Sequence, residues 1–209
     1  MKIMRTSFVI FLLLPLAFRS MAQPDRLHAS IMYNYGLPSG SLKNDVVSTS
    51  SPRGFAVDFQ YTIQPSLSVG MGVAWQDYFE KYPRALYQTA QNEITSAVLT
   101  NSVRLIPVLV KARYLPLAMR KSAAVQPFIT AGAGVGMVNF EQYLGQFGGA
   151  DTKVRFAWQC GVGANAKFSK TGRSGFVFGA NYTSVGYNEF QFGSFNSINL
   201  QAGIFLPLE

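Results

Sequence analysis

The sequence predicts an all-β protein, an eight-stranded antiparallel up-and-down transmembrane β-barrel. Three observations carry that reading. Apolar residues alternate with polar or tiny ones over eight segments, the segments are longer than ordinary soluble strands, and the connections alternate between long and short. Residues 152 to 168, TKVRFAWQCGVGANAKF, show the pattern most fully. Val154, Phe156, Trp158, Cys160, Val162, Ala164, Ala166 and Phe168 fall on one face. Lys153, Arg155, Ala157, Gln159, Gly161, Gly163, Asn165 and Lys167 fall on the other. A strand sends successive side chains to opposite faces, so this segment has an oily face and a wet one. Soluble strands usually run to about five or six residues, whereas a tilted strand crosses a bilayer in about 9 to 11. Aromatics near both ends of the oily face, with small residues between, match interfacial girdles.

The other segments follow in order. At 27–36, Leu27, Ala29, Ile31, Tyr33 and Tyr35 oppose His28, Ser30, Met32 and Asn34. At 54–63, Phe55, Val57, Phe59, Tyr61 and Ile63 oppose Ala56, Asp58, Gln60 and Thr62, and Gln64-Pro65-Ser66 makes a tight turn. At 67–79, Leu67, Val69, Met71, Val73 and Trp75 oppose Ser68, Gly70, Gly72, Ala74 and Gln76. The segment 97–114 is less regular. Ile106, Val108, Val110, Ala112 and Tyr114 face lipid, Lys111 and Arg113 point inward, and Pro107 predicts a bulge or a missing ladder bond. Segments at 124–138, 175–186 and 195–208 complete the set. The connections 37–53, 80–96 and 139–151 are long and 187–194 is moderate, whereas 64–66, 115–122 and 169–174 are short. An up-and-down barrel has this asymmetry, with short periplasmic turns and longer extracellular loops. An even strand number then puts both chain termini on the periplasmic side.

Residues 1–22 read as a secretory signal. Lys2 and Arg5 precede an apolar run from Phe8 to Phe18, and Ser20-Met21-Ala22 predicts cleavage before Gln23. The run is too short for a membrane-spanning helix, and Gln23 in place of Cys gives no lipoprotein signal. The barrel domain is expected over 23–209. Three of the 18 basic residues lie in the leader, so the remainder carries 15 against 10 acidic residues, net +5. The charges are scattered along an exported chain, which excludes nucleic acid as a partner. The single cysteine, Cys160, allows no internal disulfide and sits on an oily face as an inert buried thiol.

A sheet in lipid must close, because open edges would leave N–H and C=O groups unpaired. Eight strands leave an interior that side chains can just fill. The predicted inner wall carries a charge cluster of Asp58, Lys111, Arg113, Lys153, Arg155 and Lys167, in which Asp58 is the clearest acid. A buried charge needs a partner. The cluster therefore reads as a plug of ion pairs, or alternatively as a narrow ion path or gate. Alternation alone does not say which face is inside. A soluble lipocalin-like carrier would turn the oily face inward around a ligand, but long strands, aromatic ends and glycine-rich polar faces favour the membrane barrel.

Chemistry is sparse. No catalytic residues, metal ligands or cofactor sites are predicted. His28 is the one histidine, placed near the periplasmic end of its strand, and with Cys160 it offers no ligand spacing. A lipid-modifying enzyme would need such a base at the other end. Asp77, Glu80 and Glu93 read as solvated loop charges, or alternatively as ligands for calcium or lipopolysaccharide-bridging cations. The loop 76–92 offers recognition candidates in Tyr78, Phe79, Tyr82, Arg84 and Tyr87, or a collar anchored in lipopolysaccharide.

Two stretches carry a family resemblance: Leu105-Ile106-Pro107-Val108-Leu109-Val110-Lys111, and Gln126 through Gly136, QPFITAGAGVG, besides the Ser20–Gln23 junction. They resemble the small outer-membrane β-barrels of Gram-negative bacteria, of the OmpA/OmpX type. The likeness is greatest to the branch described as outer membrane protein beta-barrel domain, porin-family or PorT-like. The resemblance implies a bacterial outer-membrane location and insertion by the barrel-assembly machinery. It also implies outer-membrane lipid and lipopolysaccharide as surroundings, and a structural, adhesive or binding role with a possible envelope or secretion protein partner. The family's terminal aromatic is displaced here, with Phe205 four residues before Glu209.

Overall fold

The computed structural model describes residues 26–88, 94–116, 125–145, 147–169, 173–189 and 192–208. The predicted signal segment and Glu93 lie outside these. Ten strands form: β1 (Leu27–Ser39), β2 (Gly54–Gln64), β3 (Leu67–Lys81), β4 (Ala85–Gln88), β5 (Ile94–Ala97), β6 (Leu99–Tyr114), β7 (Val125–Leu144), β8 (Phe147–Lys167), β9 (Gly175–Glu189) and β10 (Phe192–Pro207). Eight close a barrel in the order β1-β10-β9-β8-β7-β6-β3-β2, while β4 and β5 form a separate hairpin. Every barrel pairing is antiparallel.

The register fixes the tilt. Cα partners starting at Ala29 run through Phe59, Met71, Val110, Ala133, Trp158, Ser184 and Asn196 and return to β1 at Ser39, ten residues along. A stagger of that size in eight strands requires a tilt of roughly 35–45°. The same circuit shows that β1 and β10 seal the wall, with His28 opposite Pro207 at the end that carries the short turns. That end is called lower below, and the opposite end upper.

Burial settles which face is inside. Ile31 is 58%, Val110 64% and Val162 57% exposed, whereas Asp58 is 3% and Lys111 4%. The oily face is the outer one, so the barrel has a lipid-facing wall and the carrier architecture with exchanged faces is ruled out. Among the described residues no helix is long and apolar enough to cross a membrane. Rings mark both margins of the outer wall: Phe168, Phe176 and Phe178 pack together below, and Phe55 stacks on Trp75 and Trp158 packs on Tyr182 above. Cys160 is exposed on this apolar wall.

Two predicted features change. Residues 139–151 are not a loop: β7 and β8 run on for 20 and 21 residues and meet in a tight turn at Gly145, whose φ of +63° suits glycine. Above the lipid both faces meet water, so the oily/wet alternation fades while the hydrogen-bonded ladder continues from Asn139↔Thr152 to Leu144↔Phe147. Pro107 causes a missing rung and no bulge. Toward β3 the pairing lapses between Val73↔Val108 and Gln76↔Leu105 without a register shift, and toward β7 the ladder is continuous through Pro107↔Gly136. Proline lacks the N–H for one side only.

Candidate functional site

The inner wall is layered, and the layers follow from what each strand contributes at each height. At the lower end Leu115, Phe128, Val177 and Phe205 are buried against one another. Above this floor lies a polar band. Asn34 Nδ2 donates to Gln76 Oε1 at 2.9 Å, Gln159 Nε2 to Thr183 Oγ1 at 2.9 Å, Asn199 Nδ2 to Thr183 Oγ1 at 3.0 Å, and Asn181 Nδ2 to Gln201 Oε1 at 2.6 Å. Then comes an apolar cap of Tyr78, Val103, Leu105, Val138, Phe140, Val185, Tyr187 and Phe195. Tyr187 stacks on Phe195 at 4.6 Å.

The ion cluster sits low in the barrel. Lys111 Nζ donates to Asp58 Oδ1 at 2.7 Å and Arg113 Nη2 to Asp58 Oδ2 at 3.4 Å, all three side chains buried. Gly72 makes the space: a Cβ there would overlap Asp58 Oδ1 and the Lys111 ammonium. Arg113 also lies 4.2 Å over the Phe128 ring, a geometry in which a desolvated cation gains from the ring quadrupole. Two cations share one acid, so the cluster is left with one positive charge.

Only half of the predicted cluster is assembled. Lys153 and Arg155 lie on the inner wall but near the upper mouth, where Lys153 Nζ is 3.5 Å from Asp151 Oδ1. Lys167 ends β8 at the lower mouth, eight residues from Gln159, which stands in register with Gly132 and through it with Lys111. Periodicity gave each residue its face and could not give its height, because height depends on the stagger. The loop candidates also divide. Tyr78 is fully buried, a correction to its expected place in an exposed loop: it is one more even-numbered, inward residue of β3. Phe79 is outward and exposed, Arg84 is exposed, and the half-buried Tyr82 donates its hydroxyl to the Val46 carbonyl at 3.2 Å. Tyr87 has its backbone in β4 opposite Thr95, and its side chain lies outside the described residues.

The sequence reading missed the closure of the upper mouth. The connection 37–53 turns inward as a short π-helical turn, Leu42–Val46, and buries Leu42, Val46 and Val47 in the apolar cap. The signal was present as Leu42, Val46 and Val47 in the otherwise polar stretch 39–51. Asn101 Nδ2 donates to the Val46 carbonyl at 2.8 Å. Glu80, expected to be a solvated charge, latches the loop. Its carboxylate accepts the Ser48 N–H, the Ser48 hydroxyl at 2.7 Å and the Thr49 N–H at 3.4 Å. Glu80 stands above the Trp75 girdle, clear of lipid. Burial alone would raise its pKa, but these donors and Tyr82 outweigh it and hold the carboxyl below its ordinary value.

Above the girdles the wall is uneven. β6, β7 and β8 rise together, paired up to Leu99↔Leu144 and Leu144↔Phe147. β8 joins β9 only from Ala157↔Val185 downward, so residues 147–156 have no strand partner on that side among the described residues. Tyr143 is 44% and Phe147 75% exposed on this raised sheet.

Comparison with known proteins agrees with this architecture. Residues 9–204 match the family described as outer membrane protein beta-barrel domain. Among solved structures, Neisserial surface protein A is similar at 14% identity with a TM-score of 0.54, covering 87% of this chain and 97% of that one. The attachment invasion locus protein Ail of Yersinia pestis is found at 10% identity and a TM-score of 0.49, with 87% and 97% covered. The N-terminal β-barrel domain of OprF from Pseudomonas aeruginosa is found at 12% identity and a TM-score of 0.44, with 86% and 97% covered. No curated protein sequence matches. The match over most of its length places this chain in the outer membrane protein beta-barrel domain family.

Proposed function

We propose that this protein is a sealed, non-enzymatic outer-membrane barrel that binds macromolecules at the cell surface through its raised β6–β7–β8 sheet. The observation that carries the reading is the contrast between the two ends of the wall. The lumen is closed by apolar layers below and above, and the upper one includes the inserted loop. The sheet above the membrane is open at one edge, where residues 147–156 of β8 lie beyond the last backbone pair with β9, Ala157↔Val185, and the Tyr187 hydroxyl of β9 donates to Asp151. An exposed strand edge is a template for an extended segment of another chain. Exposed Tyr143 and Phe147 add the aromatic area that binding surfaces use. A narrow transport pore would need a hydrated path where Val103, Val138 and Val185 are fully buried. His28, on the inner wall at the lower end, is far from any outer-leaflet substrate. We also infer export with cleavage before Gln23, insertion by the barrel-assembly machinery, and a lipopolysaccharide-rich outer leaflet around the wall.

The test replaces residues 142–149 by a two-residue turn, which trims the raised hairpin and leaves the barrel wall intact. Cells lacking other adhesins and displaying either form are scored for adhesion to protein-coated surfaces and to one another. The reading predicts an unchanged shift between unheated and boiled samples on SDS gels, with loss of adhesion. Adhesion that survives the trimming, or that neither form supports, counts against it.

A further inference from the structure

The ion cluster low in the lumen is one negative charge short. Lys111 and Arg113 share Asp58, and none of the three side chains is more than 8% exposed. The other acids among the described residues, Asp45, Asp77, Glu80, Glu141, Asp151 and Glu189, all lie toward the upper mouth. A net positive charge held this far from water is costly unless a counterion joins it.

Hydrogen-bond donors are left over at the same place. Arg113 Nε has no hydrogen-bond partner, and neither does either end of the Gln60 amide, although Gln60 is only 3% exposed. The two ends of an amide have the same shape, so Gln60 can present its NH₂ to whatever lies beside it. Lys111 Nζ donates to Asp58, and an ammonium has three N–H donors to give.

The stagger brings these groups to one place. A row of register partners climbs ten residues in its circuit of eight strands. Two steps, from β2 across β3 to β6, therefore raise it by roughly two to three residues. Lys111 shares a row with Gln60 and so stands level with Asp58. Arg113 shares a row with Thr62 and so stands level with Gln60. The strand between them, β3, turns Gly70 and Gly72 inward and puts no side chain in the way.

We propose that the lumen holds one small monovalent anion, chloride in most waters, between Arg113 Nε, the remaining Lys111 N–H groups and the Gln60 amide. One such ion makes the cluster neutral. A divalent oxyanion would overshoot that balance and is too large for a lumen that side chains fill. The ion is enclosed as the chain folds, with the apolar floor of Leu115, Phe128, Val177 and Phe205 below it. The site is independent of binding at the raised sheet.

The experiment reads the ion through folding. Urea unfolding of the barrel in phosphatidylcholine vesicles is followed at rising sodium chloride, with sodium gluconate holding the ionic strength constant. Release of one ion on unfolding makes the unfolding constant fall about tenfold for each tenfold rise in chloride above its dissociation constant. Bromide should substitute, and crystals grown in bromide should show an anomalous peak within hydrogen-bond reach of Arg113 Nε and the Gln60 amide. Lys111→Met, which leaves Asp58 and Arg113 balanced, should abolish the chloride dependence. Gln60→Leu should weaken it several-fold, and both variants should keep the heat shift on gels. The wild-type measurements decide the matter even where a variant fails to fold. Wild-type unfolding indifferent to chloride, an unchanged dependence in Lys111→Met, or bromide found elsewhere on the barrel as an adventitious ion only would each overturn the proposal.

Discussion

Asp58 carries more of the interior than either cation it holds. With Lys111 and Arg113 it forms a cluster of net +1, and the two kinds of substitution differ in the charge they leave behind. Asp58→Asn strands two buried cations, and breaking a buried pair this way costs about 3–5 kcal/mol. Lys111→Met leaves Asp58 neutralised by Arg113 and should cost less than half as much, despite removing the shorter contact. Urea unfolding in lipid vesicles, followed by tryptophan emission, measures both. Equal losses would mean that the contacts matter and the charge balance does not. Gly72→Ala belongs with Asp58→Asn in direction, because the added methyl displaces the 2.7 Å pair. Inwardness and sign were legible in the sequence for all six charged candidates, since alternation fixes a face. Which of them meet was not, because that depends on a ten-residue stagger that no single segment encodes.

At the scale of elements, the inserted loop 37–53 and the Glu80 latch behave as one unit. The Glu80 carboxyl lies below its ordinary value of 4.5, with burial opposing and the Ser48 and Thr49 donors prevailing. A depressed carboxyl contributes its stabilisation fully above the ordinary value and loses it as pH falls through the folded one. The latch is therefore closed at neutral pH, and Glu80→Gln mimics its acid form. Trypsin cleavage after Lys43, exposed on the π-helical turn, should be several-fold faster in Glu80→Gln at neutral pH while the barrel stays heat-modifiable. Hydrogen exchange at the Val47 amide, bonded to the Leu42 carbonyl at 2.8 Å, should quicken in the wild type only below the ordinary carboxylate range. Unchanged cleavage would remove Glu80 from the account of the loop. The strands themselves were well marked in the sequence over their lipid-facing spans, where one face must be oily. They were marked poorly above it, where β7 and β8 continue past the expected ends, because water on both faces demands no alternation.

For the whole molecule, the exposed oily wall, the closed register and the family match give one picture: a barrel that crosses the outer membrane and is filled along its length. The fill has a logic of position. Polar side chains and the ion cluster pair with one another in the lumen, apolar caps stand at its two ends, and the charges that remain outside collect just above the girdle. Periodicity made the wall legible. It left the upper cap hidden, because Leu105, Val138 and Phe140 sit on strand faces that are polar elsewhere, and because a loop adds Leu42, Val46 and Val47. The most direct measurement is the conductance of the purified wild-type barrel in planar lipid bilayers. A sealed lumen predicts a silent membrane for the wild type, and a membrane still silent once Val46→Asp and Val47→Asp expel the loop, because the lower floor of Leu115, Phe128, Val177 and Phe205 remains. Steady ohmic steps from the wild type, with its loop intact, would contradict the sealed barrel and make the lumen a path.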